Sequence, residues 1–207
     1  ELTKPVATAV VPISAGRHIY KREPSFPIAV ACDPAFNFVY EANIRYLHHL
    51  GEVTYFSPLA DTSLPDAGFV YLPGGYPELY LAALSANRQM LQSIRRYVES
   101  GGKLLAECGG MMYLCDEIRD KNGYVYPMAG VLHQSATMEN MKLRLGYRTL
   151  LYNETRLKGH EFHYSRLVEQ QNPLPSCAVA YTAKGVETDT PLYHYKNVWA
   201  GYTHLYW

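Results

Sequence analysis

Two residues far apart in the chain have the clearest chemical potential, a thiol and an imidazole. Cys108 lies in Lys103-Leu104-Leu105-Ala106-Glu107-Cys108-Gly109-Gly110-Met111-Met112-Tyr113-Leu114. That reads as a short apolar strand, a sharp turn carrying the thiol, two glycines and the start of an apolar helix. A nucleophile on such a turn is lifted above the sheet edge. The N–H groups that follow point to the same spot, where they stabilise an oxyanion. A helix N-terminus also lowers a thiol pKa, so an enriched thiolate is expected at Cys108. An inert buried cysteine is the competing reading, and the flanking glycines argue for the nucleophile. Such a thiol needs a base, usually a His distant in sequence and adjacent in space. Of the eight histidines, His204 closes the run Trp199-Ala200-Gly201-Tyr202-Thr203-His204-Leu205 and is expected at a strand end.

Two other clusters carry polar groups. Leu72-Pro73-Gly74-Gly75-Tyr76-Pro77-Glu78 follows an apolar run, and the N–H groups of Gly74 and Gly75 can face an anion or oxyanion. An ordinary Gly-Gly turn is the plainer reading. Gly159-His160-Glu161-Phe162-His163-Tyr164-Ser165-Arg166 places two histidines three apart, not four as in the HExxH zinc motif. Strand-like alternation fits it better, and no metal site is expected. The phosphate-binding pattern GxxxxGK[ST] is absent from the sequence, so ATP is not expected to bind this chain by that route.

The elements that position these residues read as follows. Residues 1–26 are broken by Pro5, Pro12 and Pro24 and suit a linker, leaving one domain over 27–207. Ile28–Cys32 reads as a buried parallel strand, and a helix follows with Tyr40, Ile44, Leu47 and Leu50 on one face and Gly51 as its stop. Strands are expected over 52–56 and 68–72. A long helix then carries Met90, Leu91, Ile94, Tyr97 and Val98 inward and closes at Gly101-Gly102. Lys103–Ala106 is the strand before the Cys108 turn. This order predicts an α/β sheet with helices on both faces, whose sites lie beyond the carboxyl ends of the strands. Beyond it, 127–152, 160–167 and 178–181 read as short strands with antiparallel pairing, and 198–204 as the last strand.

Composition narrows the function classes. The chain has 207 residues, with 19 Lys plus Arg against 19 Asp plus Glu. A neutral balance argues against nucleic-acid or polybasic membrane contacts, and no apolar run is long enough to span a bilayer. Four scattered cysteines without a CxxC pair suggest reduced thiols and a cytoplasmic setting. The chain opens Glu1-Leu2-Thr3-Lys4, with neither an initiator Met nor a leader pattern, so a piece of a longer protein is expected.

Taken together, the Cys108 segment from Ala106 to Leu114, LPGGYPEL from Leu72, GHEFHYS from Gly159 and the terminal YTHL resemble the glutaminase domains of cobyrinate a,c-diamide synthases. The likeness extends to Asp33–Phe38, Tyr126–Leu132 and Leu145–Arg148 and covers essentially all of 27–207. It implies a class I glutamine amidotransferase with a flavodoxin-like α/β core. Cys108 would attack the amide of L-glutamine and form a thioester. His204 would take the thiol proton and protonate the departing ammonia. N–H groups near Gly74, Gly75 and Gly109 would hold the oxyanion, and His163, Tyr164 and Ser165 would help hold glutamine. The resemblance also implies an N-terminal synthetase domain, outside this chain, that uses ATP and Mg to activate the a and c acetates of a corrinoid. This chain itself would need no cofactor. Many class I members carry Glu two residues after the His; here that position is Tyr206, which leaves Glu107, Glu161 or a backbone carbonyl to orient His204. Cobyric acid synthase and nickel-sirohydrochlorin a,c-diamide synthase have similar glutaminases. A non-catalytic module or a Cys hydrolase on the same fold is the alternative of another class.

Overall fold

The structure, a computed structural model, describes residues 26–207; the expected linker therefore lies outside the described residues, apart from Phe26. The first half alternates strands and helices: β1 (Phe26–Ala31), α1 (Glu41–Leu50), β2 (Gly51–Phe56), β3 (Phe69–Leu72), a 3-10 turn (Pro77–Leu79), α2 (Leu81–Ala86), α3 (Arg88–Glu99), β4 (Lys103–Glu107) and α4 (Gly109–Leu114). Short strands follow: β5 (Glu117–Arg119), β6 (Val125–Pro127) and β7 (Ser135–Thr137). Next come the long hairpin β8 (Arg144–Tyr152) and β9 (Thr155–His163), then β10 (Arg166–Leu167), β11 (Val179–Thr182) and β12 (Glu187–Thr188). The chain ends in β13 (Leu192–Tyr195), β14 (Val198–Gly201) and β15 (His204–Leu205).

The central sheet has the order β13-β14-β4-β3-β1-β2. All its pairings are parallel except β13 with β14. Period-two alternation sends the residues of β1 to opposite faces. Ile28 and Val30 pack with Leu47 of α1 and Tyr71, whereas Ala29 and Ala31 join Met90, Leu91, Ile94 and Val98 of α3 and the buried residues of α4. Helices therefore cover both faces, as the α/β pattern predicts. A second sheet runs β10-β7-β5-β6 and a third β12-β11-β8-β9-β15.

The expected long helix is α3, which buries Met90, Leu91, Ile94 and Val98 and leaves Tyr97 half-buried. Asn87 starts it as the N-cap, accepting from the Met90 N–H with its side chain at 3.3 Å. The helix then stops as expected: Gly101 takes φ 93°, and the N–H groups of Gly101 and Gly102 bond back to the Val98 and Tyr97 carbonyls. Leu50 does not face inward but is exposed at the end of α1, because the chain reverses at once into β2 through Gly51. The last strand is two. β14 stays in the central sheet beside β4, and after Tyr202-Thr203 the chain leaves it, so that β15 pairs with β9 in the third sheet.

Candidate active site

The turn at Cys108 is strained. The residue has φ 48° and ψ −105°, a backbone region that costs an L-residue of order 1–3 kcal/mol and is retained where surrounding structure enforces it. Two contacts enforce it here. The Cys108 N–H donates to the Gly201 carbonyl at 2.7 Å, tying the turn to β14. Gly110 lies so close to β3 that a Cβ would strike the Leu72 carbonyl, so α4 leaves the sheet edge at once. Gly109 packs directly on Gly75: a Cβ on Gly109 would stand 3.2 Å from the Gly75 nitrogen. Gly75 has φ 156°, and a Cβ there would strike the Ala35 carbonyl. The two glycine segments are thus pressed together beside the sulfur.

Cys108 faces a narrow cleft of about 20 Å³, lined by Gly75, Tyr76, Glu78, Met112 and Phe162–Ser165. That is room for about one water. A ligand larger than a water enters only if this wall gives way, and Tyr76 and Tyr164, both exposed, are its outward side chains. The thiol donates to the Phe162 carbonyl at 3.8 Å. Burial, then the charge of Glu78, pushes its pKa up to about 12, against a smaller lowering by the Gly109 N–H. The enriched thiolate expected from a helix N-terminus is therefore corrected. α4 has six residues and one stabilising N–H at the sulfur, too little to offset desolvation.

His204 is buried and does not line this cleft. Its ring lies against Phe38, with centroids 4.3 Å apart, and over Gly74, where a Cβ would strike the ring. Its backbone pairs with His160 of β9. Gly74 and Glu107, its neighbours, are the chain neighbours of Gly75 and Cys108, so the ring adjoins the cleft residues. Burial, then His160 and His163, pushes its pKa down to about 4. Nδ1 has no hydrogen-bond partner among the described residues, and the nearest carboxylate oxygen is Glu107 Oε2 at 3.9 Å. Glu107 is buried, accepts from the Tyr71 hydroxyl at 2.7 Å and the Leu205 N–H at 3.1 Å, and has its carboxyl pushed up to about 8 by burial. Tyr206, at the usual Glu position, turns away and packs on Tyr40.

His163, Tyr164 and Ser165 all reach the Cys108 cleft, but His163 has no free nitrogen. Nδ1 meets the Ser165 carbonyl at 2.7 Å and Nε2 meets Glu161 at 2.8 Å, while the ring stacks on Tyr202 at 3.6 Å. Glu161 is held further by Thr190 and Arg148; against burial, His163 first and then these two keep its carboxyl below the usual range. Ser165 donates to Tyr202. His160 and His163 lie on opposite faces of β9, and among the described residues no three His, Cys, Asp or Glu side chains group to hold a metal. Sequence reading assigned no role to Glu78 or Phe162. Glu78 follows the paired glycines and was legible in principle; the Phe162 contact is made by backbone, which no side-chain pattern reports.

The sequence profile of the CobB/CobQ-like glutamine amidotransferase domain matches residues 27–207. This chain belongs to that family. Among similar proteins, the hydrogenobyrinate a,c-diamide synthase of Pseudomonas aeruginosa is 40% identical over 185 residues, covering 86% of this chain and 41% of the relative. The cobyrinate a,c-diamide synthase of Fusobacterium nucleatum is 40% identical over 188 residues, with the same coverage. The amidotransferase domain thus spans about 41% of the length of these curated relatives. In fold it resembles PurLQS from Thermotoga maritima, with a TM-score of 0.59 at 18% identity over 87% of each chain. Among the described residues of the domain, no helix is long and apolar enough to cross a membrane.

Proposed function

We propose that this domain releases ammonia from L-glutamine for an ATP-dependent amidation of the a and c acetates of cobyrinate or its metal-free counterpart. Cys108 is the nucleophile. Its sulfur adds to the side-chain amide carbon as its proton passes to His204, and the N–H groups of Gly75 and Gly109 bond the resulting oxyanion. His204 returns the proton to the leaving nitrogen, ammonia departs and a glutamyl thioester remains. Water, deprotonated by the same imidazole, hydrolyses the thioester to glutamate and the free thiol. Gly74 serves differently, as the floor that admits the His204 ring. Glu107 takes the place of the usual triad carboxylate and steadies the imidazolium.

The observation that carries this reading is the strained Cys108 turn pressed against Gly75 and Gly109 in a chain that matches the amidotransferase family throughout 27–207. The choice of substrate rests on relatives at 40% identity. ATP and Mg belong to the synthetase portion that the relatives' extra length accommodates, and a cytoplasmic location fits reduced thiols. The test uses the full-length protein with cobyrinate, hydrogenobyrinate, ATP and Mg. Cys108→Ala should abolish glutamine-dependent diamide formation and retain formation driven by ammonium chloride. Loss of both, or of neither, refutes the assignment.

A further inference from the structure

Three carboxylates act on the Cys108 thiol, and one of them, Glu78, is met by its own backbone N–H and by no counter-charge among the described residues. Glu107 is held by Tyr71 and Leu205, and Glu161 by His163, Thr190 and Arg148. Glu78 lines the cleft from the 3-10 turn that follows Gly74-Gly75, and among the described residues neither a cation nor a side-chain donor reaches its carboxylate. An acid partly removed from water without a counter-charge is costly, and that cost is recovered when a cation arrives. L-glutamine carries one cation. With its amide carbon at the sulfur and its amide oxygen toward Gly75 and Gly109, the α-ammonium stands at the cleft wall, beyond two methylenes and Cα.

We propose that Glu78 receives the α-ammonium of L-glutamine at the wall of the Cys108 cleft. The proposal rests on the glutaminase reading above. Among the charges that face the sulfur, Glu78 raises its pKa most, ahead of Glu107 and Glu161. Burial raises the pKa of Glu78 too, against a smaller lowering by its own backbone N–H, as expected of a carboxylate that lacks a counter-charge. The other titratable groups around the cleft are Tyr76, His163, Tyr164 and Tyr202, with His204 behind Gly74, and none supplies a second anion toward the α-carbon end. The arrangement serves economy of reactivity. Burial is the larger part of what keeps the thiol neutral in the empty site, and the ammonium that identifies glutamine offsets the part that Glu78 adds. Amides without an α-ammonium fill the same cleft and leave the thiol suppressed.

The experiment compares ammonia release by the full-length protein from L-glutamine and from glutaramate, which is the same amide without the α-amino group. Glu78→Gln is expected to lower the L-glutamine to glutaramate ratio of kcat/KM by about 10- to 150-fold, the worth of one charge-assisted hydrogen bond. Glu78→Asp, which keeps the charge, should retain a preference for L-glutamine. In a second arm without substrate, iodoacetamide labelling of Cys108 at neutral pH, followed by peptide mapping, should be faster in Glu78→Gln than in wild type. An unchanged selectivity ratio overturns the ammonium assignment, and an unchanged labelling rate overturns the link to thiol activation. Wild-type protein inert toward L-glutamine overturns the glutaminase reading itself, and this proposal with it.

Discussion

Glu107→Gln tests the role of the carboxylate beside His204. At 3.9 Å from Nδ1, and with an effective dielectric near 20, an ionised Glu107 facing an imidazolium is worth about 4 kcal/mol. That is about three decades of rate if it is fully available in the transition state. It is not fully available at neutral pH, because burial holds the Glu107 carboxyl at about 8. Ionising it at pH 7 costs about 1.4 kcal/mol, leaving about 3 kcal/mol, or roughly a hundredfold. At pH 9 that cost disappears. The defect of Glu107→Gln in kcat/KM for glutamine should therefore grow from about a hundredfold at pH 7 toward about a thousandfold at pH 9. Ammonia release by the full-length protein, coupled to glutamate dehydrogenase across this range, measures it. A urea titration separates folding from chemistry: lost hydrogen bonds to Tyr71 and Leu205 should cost about 1–3 kcal/mol. A defect below about fivefold, or one independent of pH, would refute the carboxylate's part in the mechanism.

Other expectations follow from the same geometry. A glutamine-like diazoketone should label Cys108, while iodoacetamide without substrate should reach the exposed Cys32 first; peptide mapping that finds the reverse contradicts the buried neutral thiol. Gly74→Ala should lower glutamine turnover at least tenfold by displacing the His204 ring, with the CD spectrum retained, since the added methyl strikes a side chain and not the sheet. His204→Asn bears on acid stability. The folded pKa lies near 4, below the usual 6.5, so the unfolded chain binds the extra proton and wild type loses stability as pH falls through that window. Measured by urea midpoints, the variant should gain about 3 kcal/mol relative to wild type between pH 6.5 and 4. Glu161→Gln should destabilise by about 3 kcal/mol, since it leaves the largely covered Arg148 guanidinium without its counter-charge.

Where local chemistry decides structure, the sequence was a good guide. The apolar runs of β1, β3 and β4 and the glycine stop after α3 follow from side-chain periodicity and backbone freedom, and these place the Cys108 turn. The fine division of elements was less legible. The start of α3 at Asn87 was not read, because its side chain is seen to cap the helix only once the fold is known. Most of what was missed depends on non-local burial. Nothing near Cys108 in the sequence announces that desolvation outweighs one N–H. Nor does the sequence reveal that both nitrogens of His163 are engaged, since Glu161 is close in sequence but the Ser165 carbonyl belongs to the backbone. Placing Glu107 beside His204 needed the β4–β14 pairing, which joins residues almost a hundred positions apart.

The departure of the chain from the central sheet at Tyr202-Thr203 makes the alignment of thiol and imidazole a matter of assembly. Cys108 hangs from β4 in one sheet, and His204 is seated in another, paired to the β8–β9 hairpin. Among the described residues they are joined by the two residues of the crossing, the Cys108–Gly201 hydrogen bond, the Leu205 N–H on Glu107 and the thiol on the Phe162 carbonyl. In the proposed mechanism, a displacement of the hairpin by a fraction of an ångström changes the distance over which the proton passes. Tuning of such a pair needs no substitution at either reacting residue. It can be written into the outward side chains Leu145 and Tyr147, which give the hairpin a handle far cheaper to alter than the chemistry it adjusts.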